Sequence, residues 1–349
     1  MQRQVLKKIP YILIPLVLTA VFFCAYSIPA GNAAYADERI EVYLGGYPIG
    51  IAAKSEYLIV DEFVNVTNSE GSSSPALLAG VQKGDVIVTV NGKRPRNASD
   101  LVEQIKKSDT ILLSVKRGKK LMDFSIKTVF DPALKENKIG LSVKDDLIGI
   151  GTMTFVTKNN EFGALGHGID DEYGHVSYYQ KGEIFDCAVT GYNVADRNKP
   201  GELRGTVRFD KPIGRIEKNV FCGIFGEMIM DRKELLQRGR PIAVGDRTTV
   251  ENGKAQILTT IEGTEPKMYD IEIIKAVGQS EPADKSMVIR VTDQELRRTT
   301  GGILQGMSGS PILQNGRIIG AVTHVFTADS TKGYGVYIDW MLQNTLKKA

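Results

Sequence analysis

The 349-residue chain has little histidine, cysteine or tryptophan: three, three and one. Cys24, Cys187 and Cys222 form no Cys-x-x-Cys pair, which disfavours a zinc ribbon, and they are too sparse for a disulfide-stapled scaffold, so the fold must be held by packing. A Cys187–Cys222 bond and two buried thiols both stay open. An excess of one charge is also lacking. Forty-four Lys plus Arg against 41 Asp plus Glu leave a net charge of +3, too little for polyanion binding to dominate, and no nucleic-acid partner is expected. With 42% hydrophobic and 24% charged residues, 36 Gly and 13 Pro, the composition is that of a folded protein, neither disordered nor collagen-like.

What the chain does have begins with an uncharged run from Ile9 to Ala36, apolar from Tyr11 to Ile28 and preceded by Arg3, Lys7 and Lys8. A positive start before a membrane-length apolar stretch is expected to enter a membrane. Pro10, Pro15 and Pro29, with no polar face, argue against a buried globular helix. Ala34-Tyr35-Ala36 is an A-x-A cleavage pattern, so residues 1–36 read as a signal peptide or a signal anchor, with the rest of the chain outside the cytoplasm.

The remainder is long enough for two domains at roughly 150 residues each. Short β-type runs at 39–43, 56–64, 85–90, 110–115 and 121–129 are separated by turn signals, of which Asn91-Gly92 is the strongest. Between two of them Ser99 is read as the cap of a helix with Leu101, Val102 and Ile105 at helical spacing, ending near Lys106-Lys107. Ser74-Pro75-Ala76 through Gly80-Val81, then Gly84-Asp85-Val86-Ile87 and Val90-Asn91-Gly92, resemble a PDZ domain, which assigns 37–132 to a PDZ-like domain. Such domains add an extended peptide as a strand and receive its carboxylate on the N–H groups of a glycine-containing loop. The best match to that peptide-binding loop is Ile49-Gly50-Ile51, preceded by Gly45-Gly46. Asp131-Pro132 ends the last strand, and 133–349 remains β-rich. Runs at 148–157, 255–261, 269–274, 286–291, 317–324 and 333–338, with a helix over 340–346, argue for a sandwich or barrel rather than a doubly wound sheet.

Chemistry concentrates in Gly306-Met307-Ser308-Gly309-Ser310-Pro311. A nucleophilic serine needs an exposed hydroxyl at a tight turn with backbone N–H groups converging on the developing oxyanion, and glycines allow that approach. The string resembles the nucleophile loop of chymotrypsin-fold serine peptidases, which makes Ser308 the nucleophile and the Gly306 and Ser308 N–H groups the oxyanion hole. It also implies a double β-barrel. Met307 stands where digestive members of that fold carry an Asp that pairs with a newly cut N-terminus, so that activation is not expected. Of the three histidines, His167 in Gly163-Ala164-Leu165-Gly166-His167-Gly168 has small neighbours and is assigned as general base. His175 reads as a solvated loop residue and His324 as a packed strand residue. For the acid that holds the imidazole, Asp293 is favoured at the end of Val288–Val291, 15 residues before Ser308, with Asp186, Asp210 and Asp270 left open.

Together with the membrane segment and the PDZ-like part, Gly163–Gly168, Val291-Thr292-Asp293, Gly301–Pro311 and Gly320-Ala321-Val322-Thr323-His324-Val325 resemble the stage IV sporulation protein B peptidases of endospore-forming bacteria. The resemblance implies a signalling serine endopeptidase, exported across the forespore membrane into the space between forespore and mother cell and anchored until processed. It implies cleavage of a membrane regulatory complex, which releases sigma-K precursor processing, and self-cleavage near the N-terminus with the PDZ-like domain taking part in self-recognition. It favours Asp293 as the acid. No cofactor and no metal is expected. The alternative is a catalytically silent, membrane-tethered PDZ peptide-binding scaffold. Cysteine catalysis is weaker, since neither Cys187 nor Cys222 has a comparable glycine-rich loop.

Overall fold

Two long antiparallel strands, Pro48–Phe63 and Leu141–Thr157, organise the fold, because each takes part in two different cores. The computed structural model describes residues 40–69, 71–170, 179–194, 200–229, 231, 239 and 241–345. The expected membrane segment and His175 lie outside the described residues. Among the described residues no helix is long and apolar enough to cross a membrane.

In Pro48–Phe63 the inward residues Ile49, Ile51 and Ala53 are buried in one apolar core, whereas Leu58 and Val60 belong to another. The first core is enclosed by a ring of six strands, each paired with the next: Pro48–Phe63, Leu141–Thr157, Glu161–Ala164, Gly223–Met228, Glu202–Val220 and Lys181–Asn193, the last returning to the first. Met153, Phe162, Ile184 and Ile224 fill it. A second closed barrel is formed by Gly253–Thr259, Lys267–Ala276, Met287–Val291, Asp329–Tyr337, Arg317–Phe326 and Pro311–Gln314. Its sequence alternates as a barrel wall must, with Ala255/Ile257, Tyr269/Ile271/Ile273 and Met287/Ile289/Val291 pointing inward. Each large aliphatic side chain so buried contributes about 1.5–3 kcal/mol. The expected β-rich, barrel-type second part is thus present.

The PDZ-like part comprises the end of the first long strand, the start of the second and the chain between them. Leu58 and Ile59 pair with Ile87 and Val86, and the sheet continues through Thr110–Arg117 and Lys120–Lys127. Asn91 and Gly92 both adopt left-handed φ, 50° and 76°, as a two-residue hairpin turn demands. Helix Ala98–Ile105 is capped by Asn97, whose side chain accepts from Asp100 N–H at 2.8 Å, two residues before the expected Ser99. The carboxylate of Asp85, fully buried, receives two 2.6 Å bonds from Arg117 and one from Gln82 N–H.

The outer edge of this sheet is already taken. Leu141, Ser142, Val143 and Lys144 pair antiparallel with Phe63, Glu62, Val60 and Ile59, and Leu141 and Val143 pack onto the PDZ core. The same strand then runs on into the first six-stranded ring.

Candidate active site

The nucleophile loop follows helix Gln294–Thr300 and precedes strand Pro311–Gln314. Ile303, Leu304 and Met307 anchor it in the second barrel's core, and Met307 Sδ accepts from Leu304 N–H at 3.2 Å. The residue replacing the expected aspartate is therefore a buried peg. Ser310 is also buried, with its hydroxyl donating to Met307 O at 2.6 Å and sharing a 2.8 Å contact with Thr259 Oγ1. That leaves Ser308 as the serine of the loop facing a cavity.

Gly309 has φ +96°, and a Cβ there would lie 2.1 Å from Thr152 O and 2.6 Å from Leu165 N, so only glycine lets the loop lie this close to its neighbours. Thr152 fixes the contact, its hydroxyl donating to Gly306 O at 2.8 Å and its N–H to Ser308 O at 3.0 Å. Thr154 repeats the device, donating to Gly309 O at 2.8 Å. Among the described residues the N–H groups of Gly306 and Ser308 find no acceptor within the protein. Two unspent donors beside a serine hydroxyl are what an oxyanion site requires.

His167 arrives from strand Glu161–Ala164 through Leu165 (φ +69°) and Gly166 (φ +70°). A left-handed leucine is a strained backbone of the kind that gathers at functional sites, costing about 1–3 kcal/mol. Its Nδ1 lies 2.8 Å from Gly168 O. Donation from Nδ1 to that carbonyl leaves Nε2 as the basic nitrogen. Burial, and then the nearby His324, push the His167 pKa below its usual 6.5, favouring the neutral ring that a base requires.

Ser308, Gly306, His167 and His324 line one cavity of about 450 Å³, together with Leu147 and Ile150. In this conformation the Ser308 hydroxyl donates to Thr323 O at 2.5 Å, and among the described residues no hydrogen bond joins it to His167. Ser308 and His167 share a chamber without a hydrogen bond between them.

Asp293 is not in that chamber. It caps helix Gln294–Thr300, accepting from Leu296 N–H at 2.9 Å and from Asp270 N–H at 3.5 Å. The strand end that recommended it as the acid is also a helix start, and its carboxylate is used there. Asp270 accepts from Gln256, Asp210 lies 3.7 Å from Arg208, and Asp186 borders a different cavity; none lines the chamber of Ser308. The peptide-loop assignment is corrected as well. Ile49, Gly50 and Ile51 lie at the start of a barrel strand, paired on one side with Gly151, Ile150 and Gly149 and on the other with Asp186, Phe185 and Ile184. All three are buried with both edges spent, so no chain-end carboxylate reaches them. Cys187 and Cys222 are free buried thiols, and burial pushes them up to about 11 and about 12, values unsuited to a thiolate nucleophile.

The residues that sequence reasoning missed are Thr152 and Thr154, two hydroxyls at alternate positions of strand Leu141–Thr157, and Thr323, whose carbonyl holds Ser308. His324, read as packed, is exposed and faces the cavity.

Residues 49–128 match the PDZ domain family. Among curated proteins nothing matches this chain. Solved structures similar to it include the Rv3671c protease from M. tuberculosis in its active form, at 15% identity over 56% of this chain and 74% of that one, TM-score 0.32. The inactive form of the same protease gives 15% identity over 55% and 80%, TM-score 0.32. Residues 135–342, more than half of the chain and including both His167 and Ser308, match the SpoIVB peptidase S55 family, and the chain belongs to that family.

Proposed function

We propose that this serine peptidase works through Ser308 as nucleophile and His167 as general base. The observation that carries the reading is the shared cavity in which a glycine-flanked serine hydroxyl, a neutral-leaning imidazole and two unspent N–H groups meet. The Ser308 hydroxyl leaves the Thr323 carbonyl and gives its proton to His167 Nε2 as Oγ attacks a peptide carbonyl. The oxyanion is received by the Gly306 and Ser308 N–H groups. His167 then protonates the leaving amine, and a water molecule, deprotonated by the same ring, hydrolyses the acyl-enzyme. The Gly168 carbonyl holds Nδ1–H, the task a carboxylate performs in a Ser-His-Asp triad.

The family and the PDZ part support the finer role: an exported sporulation peptidase that cuts itself near its N-terminus and then a membrane regulatory complex between forespore and mother cell, releasing sigma-K precursor processing. The silent-scaffold reading is weakened by the occupied edge of the PDZ sheet. A serine-directed phosphonate decides the chemistry. Stoichiometric labelling lost in Ser308→Ala and His167→Ala supports the peptidase; labelling that survives Ser308→Ala but not Ser310→Ala moves the nucleophile. The mature N-terminus of wild-type and Ser308→Ala protein, read by mass spectrometry in sporulating cells, tests self-cleavage.

A further inference from the structure

Sequence places His324 on the second strand after the nucleophile loop, and the fold turns it toward His167. Strand Arg317–Phe326 pairs with Asp329–Tyr337 at Val322↔Gly335 and next at Val325↔Gly333, so Thr323 and His324 stand where the partner offers Tyr334 alone. This is a bulge, a device that re-aims side chains beside active sites. The base loop is pressed onto the same spot: a Cβ on Gly166 would lie 3.0 Å from Val322 O and 3.2 Å from Thr323 Cγ2. The His167 and His324 rings consequently sit with centroids 4.6 Å apart and planes tilted by 34°. The dipeptide Thr323-His324 thus touches both reacting groups, the serine through a carbonyl and the base through a ring.

We propose that His324 is a positioning residue of the peptidase: its ring braces that of His167 and, with the Gly168 carbonyl, orients the base. This rests on the peptidase reading above. The described charges that act on His167 are His324, Asp170 and Asp284, and those on His324 are Asp284, Lys285 and Asp170. Among the described residues no carboxylate is hydrogen-bonded to either ring. Because His167 is burdened by burial and His324 adds to that burden, protonation of one opposes protonation of the other, and the two titrate as a pair.

The test compares His324→Ala with His324→Phe in the full chain. Misplacing a reacting group by about 1 Å costs on the order of 100-fold. His324→Ala, which removes the brace, is expected to slow phosphonate inactivation by roughly 10- to 100-fold through the rate at saturation rather than through reagent affinity. His324→Phe keeps a ring of similar shape and is expected to return to within about 3-fold of wild type at pH 8. It also removes a cationic neighbour, so the acidic limb of the rate profile and the His167 ring titration followed by NMR both move to higher pH. With three histidines in the chain, those ring signals are assignable by substitution. Inactivation of His324→Ala at the wild-type rate, or a His167 titration unmoved by His324→Phe, overturns the proposal. The NMR arm needs no catalysis, so a wild-type protein that fails to react with phosphonate refutes the peptidase chemistry while the brace is still judged.

Discussion

Replacing Thr152 by Val is the most direct test of how the nucleophile loop is held. Thr152 is 2% exposed and ties three strands of chain together: its hydroxyl to Gly306 O, its N–H to Ser308 O, and its carbonyl to Leu165 N–H ahead of His167. Valine keeps the branched shape and both backbone bonds but leaves the Gly306 carbonyl without its 2.8 Å donor. An acceptor orphaned at this half-buried position costs at most about 1–3 kcal/mol. In a unit of this size each kcal/mol lowers Tm by about 2–4 °C, giving a drop of roughly 2–12 °C. The preceding peptide carries the Gly306 N–H, an expected oxyanion donor, and losing one donor costs on the order of 100- to 1,000-fold in turnover. Thermal unfolding followed by circular dichroism, with phosphonate inactivation rates on the same samples, reads both effects, and Thr152→Ser serves as the hydroxyl-retaining control. If Thr152→Val melts and reacts like Thr152→Ser, the hydroxyl tie does not place the loop and the argument fails.

Arg117→Met strips the buried Asp85 carboxylate of its ion partner and is expected to cost about 3–5 kcal/mol, lost mainly from the PDZ part; hydrogen exchange that remains unchanged there contradicts this. Cys187 and Cys222, with thiols raised to about 11 and about 12, should resist alkylation at pH 8 until the protein is unfolded, whereupon both react without a reductant; a requirement for reductant means that they are bonded. The His167 and His324 pKa values are depressed by folding, so the unfolded chain binds protons that the native rings refuse. Neither ring costs stability above about pH 6.5, and stability declines as pH falls from there toward the native pKa values. Urea unfolding at pH 7.5 and 5.5 should show a smaller decline in His167→Phe than in wild type; equal declines refute the linkage.

The loops that carry Ser308 and His167 stood out because glycine and small residues around a lone reactive side chain reflect a backbone requirement, and that requirement is local. Asn91-Gly92 was legible for the same reason. Asp293 shows where local reading divides: an acidic residue after an apolar strand and before Gln-Glu-Leu serves equally as a triad acid or a helix cap, and only the distant position of His167 chooses between them. Ile49-Gly50-Ile51 failed similarly, since a buried strand and a carboxylate loop share one pattern until their pairing partners, some 100 residues along the chain, are known. Strands Lys181–Asn193 and Glu202–Val220, rich in charge and glycine, carried too weak an alternation to be picked out at all. His324 was seen but given the wrong side of its strand, because a bulge breaks the two-residue period on which inside and outside are reckoned.

The two long strands have a consequence for anyone wishing to cut this molecule apart. Lys54 and Asp146 face each other as partners, and the PDZ core strands and helices lie between them. Trimming at residue 132, where composition invites it, removes one stave of the barrel and orphans another. Joining the chain across Lys54 and Asp146 with a tight turn keeps every stave in register, so the PDZ part is removable only at its stalks.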